Sequence, residues 1–107
     1  MSIKSEEYVL YRGRKYQVEF YYTKSAKMPA KEFFDCAEYR IQLKLLALVK
    51  YIAEHGKLYD ISKFRQVDKK YQIYEFKPLN ERYFSFFYKG KRIILTNAYQ
   101  KRTQKLN

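Results

Sequence analysis

Three runs rich in aromatic and β-branched residues, at 71–77, 83–88 and 92–96, follow one another with almost no chain between them. Strands joined this tightly have no room for a crossover, so they pair as an antiparallel meander. Pro78, Leu79, Asn80 and Glu81 supply the first turn. Lys89, Gly90 and Lys91 supply the second, where Gly90 can take a positive φ.

Upstream, the runs at 8–11 and 16–23 read as two strands around Arg12, Gly13 and Arg14. Residues 24–28 form a loop, and Pro29 suits the first turn of a helix. Ile41, Leu45, Leu48, Val49 and Ile52 recur at the spacing of one helix face, and Gly56 stops that helix. Asp35, with Glu38 three residues later, has the form of a capping box. It predicts a short helix over 30–34 and a long one over 36–55. One continuous helix is the alternative, because Phe33, Ala37 and Ile41 share its apolar side. Residues 57–70 carry Lys57, Lys63, Arg65, Lys69 and Lys70 with weak periodicity, and read as a loop holding one short turn. From Ala98 the chain has little core-forming potential and reads as a basic tail over 98–107. The expected fold is α+β: an antiparallel sheet of about four strands with a helical pair on one face. The other face is then free to be concave, basic and functional.

The chain has 107 residues, enough for a single domain over 1–107 with one modest core. Lys and Arg number 23 against 11 Asp and Glu, a formal charge of +12. Such an excess steers polyanions in, and nucleic acid is the expected one because each paired phosphate releases counterions. From Arg82 onward come Lys89, Lys91, Arg92, Lys101, Arg102 and Lys105 without a single acid. A block this one-sided repels itself, which points to a partner outside the fold. No run approaches the ~20 apolar residues of a membrane span, and no basic amphipathic helix or lipidation motif is present. Residues 1–11 hold charges and no long apolar run, so no signal peptide is expected. One cysteine, Cys36, excludes a disulfide framework and fits a reducing, cytoplasmic setting.

Composition also narrows the chemistry. One Cys and one His cannot close a zinc site, and three glycines leave no P-loop. His55 stands beside Gly56 at a helix end, where a cation complements the helix dipole. A sugar hydrolase with two carboxylates has little use for such a positive charge. RNA cleavage remains feasible with Lys, Arg and Tyr alone. The RNA supplies its own nucleophile, the 2′-hydroxyl. The protein need only take one proton, return another and hold charge on the phosphate. Neighbouring cations lower a lysine's pKa, so a clustered lysine can serve as the base. Lys77 closes one strand, Arg82 opens the next, and Tyr99, Lys101 and Arg102 follow the last. A meander brings such ends together, and alternation can put several on one face. The plainer readings are that Lys77 and Arg82 are strand-edge cations guarding against aggregation, and that most of the 13 Tyr and 8 Phe build core and strands.

Two segments resemble a known family. Ile73-Tyr74-Glu75-Phe76-Lys77 is similar to the "LYELR" strand of HigB-type toxins in the RelE superfamily. Ile93-Ile94-Leu95-Thr96-Asn97-Ala98-Tyr99-Gln100-Lys101-Arg102-Thr103-Gln104-Lys105 is similar to that family's "IVLLHGFxKKTQK" segment. The resemblance covers roughly residues 16 to 105. It implies a RelE-like α+β domain that enters the ribosomal A site, cuts mRNA and needs no metal or organic cofactor. It also implies a neutralising antitoxin, often a small helix-turn-helix protein. Lys77, Tyr99, Lys101 and Arg102 are the implied catalytic positions. Arg82, Arg92, Lys63, Arg65 and Asn97 complete the expected RNA-contacting set. Arg82 matches a family arginine only if the hairpin shifts by one residue, and such a shift reverses side-chain facing. Asn97 stands where many HigB-like members carry histidine, and Asn is neither acid nor base. The family's closing helix is expected to be absent or very short. Residues 1–15 extend beyond the family's usual start, as an added strand or an antitoxin contact.

The competing reading is a non-catalytic binding module on the same fold: an inactive toxin relative, a phage-encoded inhibitor or an RNA-binding protein. A DNA-binding protein ranks third, since no helix-turn-helix or zinc-finger pattern occurs. Either RNA reading requires affinity for RNA that falls steeply with salt. A filter-binding titration across a range of salt concentrations checks this, and a flat response would assign the charge to a different partner.

Overall fold

A computed structural model describes residues 8–102. The chain runs β1 (Val9–Arg12), β2 (Gln17–Phe20), α1 (Pro29–Asp35), α2 (Tyr39–His55), β3 (Phe64–Asp68), β4 (Ile73–Phe76), β5 (Glu81–Tyr88) and β6 (Arg92–Gln100). The six strands form one sheet in the order β1-β2-β6-β5-β4-β3. The helices carry the chain from β2 to the far edge. Three successive hairpin steps then walk back until β6 lies beside β2. The α+β class is as expected; the sheet is larger than the expected four strands and is not wholly antiparallel. β6 pairs parallel to β2, with Val18 opposite Ile93 and Phe20 opposite Leu95.

Two differences from the sequence expectation have local causes. β3 lies inside the segment expected to be a loop. It is an edge strand with a register shift between Gln66 and Asp68, and only Phe64 is buried, so it shows no clean alternation. β6 runs on to Gln100, into the expected basic tail, because β5 begins at Glu81 and offers partners that far.

The helix boundaries fall close to expectation, but the capping chemistry differs. Pro29 opens α1, and Asp35 ends it, accepting a hydrogen bond from Lys31 Nζ at 2.8 Å. The N-cap of α2 is Glu38, and its side chain makes no capping bond, so the expected Asp35–Glu38 box does not form. Gly56 closes α2 in the left-handed conformation, φ 83, and its N–H donates to Ile52 O at 2.7 Å.

Alternation divides the sheet into two faces. Val18, Phe20, Phe76, Tyr83, Ile93 and Leu95 meet Leu45, Val49 and Ile52 of α2 in the core. Each such side chain contributes about 1.5–3 kcal/mol by leaving water. The opposite face carries Arg65 across from Glu75, Glu75 across from Phe84, Phe84 across from Asn97, and Arg82 across from Tyr99. No helix among the described residues is long and apolar enough to cross a membrane.

The β1–β2 turn is clamped to α2. The N–H groups of Lys15 and Tyr16 both donate to Ala53 O, at 2.7 and 3.0 Å. A Cβ on Gly13 would lie 2.5 Å from Ala53 Cβ and from Ala53 O. Close approach, rather than an unusual φ, therefore demands glycine there. Gly13→Ala should destabilise the protein by about 1–3 kcal/mol in urea unfolding. An unchanged midpoint would mean the turn can lift off α2 at no cost.

Candidate nucleic-acid interface

The expected site residues converge at one end of the sheet, where β4 and β6 end and β5 begins. Lys77 follows β4 directly, and its N–H donates to Lys63 O at 2.8 Å. Arg82 is the second residue of β5 and faces Tyr99 of β6. The Lys101 N–H donates to Asn80 O at 2.7 Å, tying the chain after β6 to the β4–β5 turn. Arg102 follows, exposed. Lys63 precedes β3, and Arg65 lies within it. The structure thus assembles Lys77, Arg82, Tyr99, Lys101, Lys63 and Arg65 from four strands. Thr103, Gln104 and Lys105 of the second motif lie outside the described residues.

Tyr99 reaches the open face through a bulge. Leu95 pairs with Ser85 on the helix side, whereas Asn97 pairs with Phe84 on the open side. Thr96 is the extra residue between them, so 97 and 99 face opposite to 95 although all are odd-numbered. Bulges re-aim side chains in this way, often beside functional sites. On the open face the rings of Phe84 and Tyr99 stack, with centroids 5.7 Å apart at 23°. Asn97 is exposed, and its Oδ1 accepts from Thr96 Oγ1 at 2.8 Å.

Lys77 is the most perturbed cation of the cluster. Its Nζ donates to Ile61 O at 3.1 Å. Burial holds its pKa below the ordinary lysine value, and the charges of Arg82, Arg65 and Lys101 push the same way. Glu75 opposes them, but Arg65 Nη2 shares that buried carboxylate at 3.6 Å. Such a lysine gives up its proton more readily than a free one and can act in proton transfer. Arg82 Nη1 donates to Leu79 O at 2.8 Å and to Glu81 O at 2.9 Å, which fixes the turn beside Lys77. Phe84 and Glu75 escaped the sequence reading. Phe84 could have been found from its place two residues after Arg82 on the same strand face.

Arg92 is not part of this cluster. It lies at the start of β6, at the other end of the sheet. Its Nε and Nη2 donate to Glu19 at 2.6 and 2.8 Å, and Gln17 Nε2 donates to the same carboxylate at 2.8 Å. Burial pushes the Glu19 pKa up, but the Arg92 and Gln17 bonds outweigh it and the net shift is downward. Arg92 also lies over the Tyr88 ring, 5.4 Å from its centroid. The partner that makes Arg92 structural is 73 residues away in sequence.

These placements separate two kinds of cation. Lys77→Ala, Lys101→Ala and Arg102→Ala should each weaken RNA binding while leaving the unfolding midpoint nearly unchanged. RNA affinity unaltered in all three would dissolve the site. Arg92→Ala should instead cost on the order of 2 kcal/mol at neutral pH by stranding a buried carboxylate. Because the folded Glu19 pKa is depressed, the pairing stabilises above the usual carboxylate value and is lost as pH falls through the folded one. The cost of Arg92→Ala should therefore shrink in acid, and a pH-independent loss of stability would contradict the pairing.

Comparison with known proteins adds one finding. The family model described as "Phage derived protein Gp49-like (DUF891)" matches residues 32–107, from within α1 past the basic end of β6, and leaves β1 and β2 outside. No curated protein matches the chain. With most of its length in that match, including every strand of the basic cluster, the chain belongs to the Gp49-like family of phage-derived proteins, a RelE/toxin-like family associated with toxin–antitoxin toxins.

Proposed function

We propose that the protein is the toxin of a toxin–antitoxin pair and cuts mRNA on the ribosome. One observation carries this reading: Lys77, directly after β4, stands among Arg82, Arg65 and Lys101 at the basic end of the sheet, with its pKa lowered by burial and by those charges. In the proposed reaction the 2′-hydroxyl attacks the adjacent phosphorus. Lys77 accepts its proton in the neutral form, or in the charged form supplies one to the departing 5′-oxygen. Arg82, Lys101 and Arg102 hold charge on the phosphate oxygens. Tyr99, backed by Phe84, offers a ring on which an unpaired base stacks. The ribosome supplies a held strand, which lowers the entropy cost of alignment. The likeness of the two motifs to HigB-type toxins supports the A site as the place of attack. The same likeness supports a small helix-turn-helix antitoxin as partner.

Asn97 favours a second reading. It occupies the open face opposite Phe84, at the position where HigB-like members carry histidine, and has no proton to exchange. A non-catalytic module that binds RNA or a protein through the same cations would need none. Primer extension on an mRNA in a reconstituted translation reaction separates the two. Cuts within codons only when ribosomes are present, reduced about 100-fold or more by Lys77→Ala, are the expected outcome. No cuts by folded, antitoxin-free protein would leave the binding module.

A further inference from the structure

A cavity of about 320 Å³ opens between α2 and the β4–β5 turn, just behind Lys77. Lys44 of α2, Lys63 before β3 and Lys77 after β4 line it and no lining residue is acidic, while Lys63 Nζ lies 3.9 Å from Asp60 Oδ2 and Lys77 Nζ donates to Ile61 O at 3.1 Å. The rest of the wall is chiefly apolar, including Leu48, Pro78 and Leu79. The volume lies at the small end of the range for small-molecule sites. Asp60 offsets part of the charge of Lys63 and Lys77, but three lysines against this one carboxylate leave the hollow net positive, which favours an anionic occupant.

Leu79 gives an independent sign. Its φ is 55, in the left-handed region that a bulky side chain avoids. The residue after Pro78 in such a corner is ordinarily Gly or Asn. The conformation is enforced by Arg82 Nη1 on Leu79 O at 2.8 Å and by the Glu81 N–H on Pro78 O at 3.1 Å. The side chain so presented is 42% exposed and gains little from burial in the core. An apolar group held at backbone cost on the wall of a basic hollow serves a ligand better than it serves the fold.

We propose that this cavity binds a nucleoside phosphate. The base or ribose lies against Leu48, Pro78 and Leu79, and the phosphate is held by Lys44, Lys63 and Lys77. Lys77 belongs to both this cavity and the cleavage site, so in an RNA strand the occupant is the nucleotide next to the scissile phosphate. That placement rests on the proposed cleavage; binding itself does not. A free mononucleotide is the other source of the same chemistry.

Calorimetric titration of the full chain with a nucleoside 3′-monophosphate, a trinucleotide and inorganic phosphate tests it. Saturable binding of the mononucleotide should weaken about tenfold in Lys44→Ala, the loss of one charge-assisted contact. Leu79→Gly should weaken it comparably while the unfolding midpoint holds or rises, since Gly relieves the strain. Lys50→Ala, an exposed lysine of α2 outside the cavity, should change nothing. The same variant pattern seen with the trinucleotide alone supports a strand nucleotide as the occupant. Inorganic phosphate binding as tightly as the nucleotides, indifference to Leu79→Gly, or no saturable binding overturns the proposal. Variant-sensitive binding without ribosome-dependent cleavage would leave this pocket standing and the cleavage reading fallen. Cleavage without variant-sensitive binding would overturn the pocket alone.

Discussion

β5 and β6 pair from Tyr88–Arg92 beside the Gly90 turn to Glu81–Gln100 at the basic end, and this register decides which side chains meet. It sets Tyr83 against Ala98 in the helix-covered layer and Arg82 against Tyr99 on the open side. A slip by one residue would exchange the two faces, drawing Arg82 into the core and exposing Tyr83. The burial of Tyr83 opposes such a slip, because its ring would leave the core and enter water. The bulge at Thr96 adds the second half of the arrangement. It lets one strand keep Leu95 in the core and still deliver Asn97 and Tyr99 to the open face. Core packing and site geometry are thus two consequences of the same pairing.

Where the few acids lie decides what the many cations do. Glu19 and Glu75 are both buried on the open face. Glu19 is fully engaged by Arg92 and Gln17, which makes Arg92 part of the fold. Glu75 is shared between Arg65 and Lys77 and cannot offset the positive charge around Lys77. Glu81 faces the helices, where burial raises its pKa. The result is an uneven field: paired at one end of β6, in excess at the other. A polyanion steered toward the molecule meets the excess.

The local features were legible in the sequence and the long-range ones were not. The helix face of Ile41, Leu45, Val49 and Ile52, the Gly56 stop and the Gly90 turn follow from spacing and from φ preference. Lys77, Arg82 and Lys101 could be grouped because turn lengths alone bring strand ends together. β3 was hidden because an edge strand with one buried residue leaves no alternating pattern. The parallel β2–β6 pairing depends on where the helices deliver the chain, which no local window contains. Arg92 looked like its neighbours because Glu19 is remote in sequence. The facing of Tyr99 depends on a bulge that nothing in the residues around Thr96 announces. Leu79 looked like ordinary turn filler, since its strain is visible only in the backbone.

Burial and the charges of Arg82, Arg65 and Lys101 together loosen the Lys77 proton. Titration of the Lys77 Nζ and ε-methylene signals by NMR tests this directly, in the native protein and in Arg82→Gln. The expected result is a midpoint below the ordinary lysine value of 10.5 that climbs when the Arg82 charge is removed. A midpoint at the ordinary value, or one indifferent to Arg82, would leave Lys77 a surface cation and remove the proposed base.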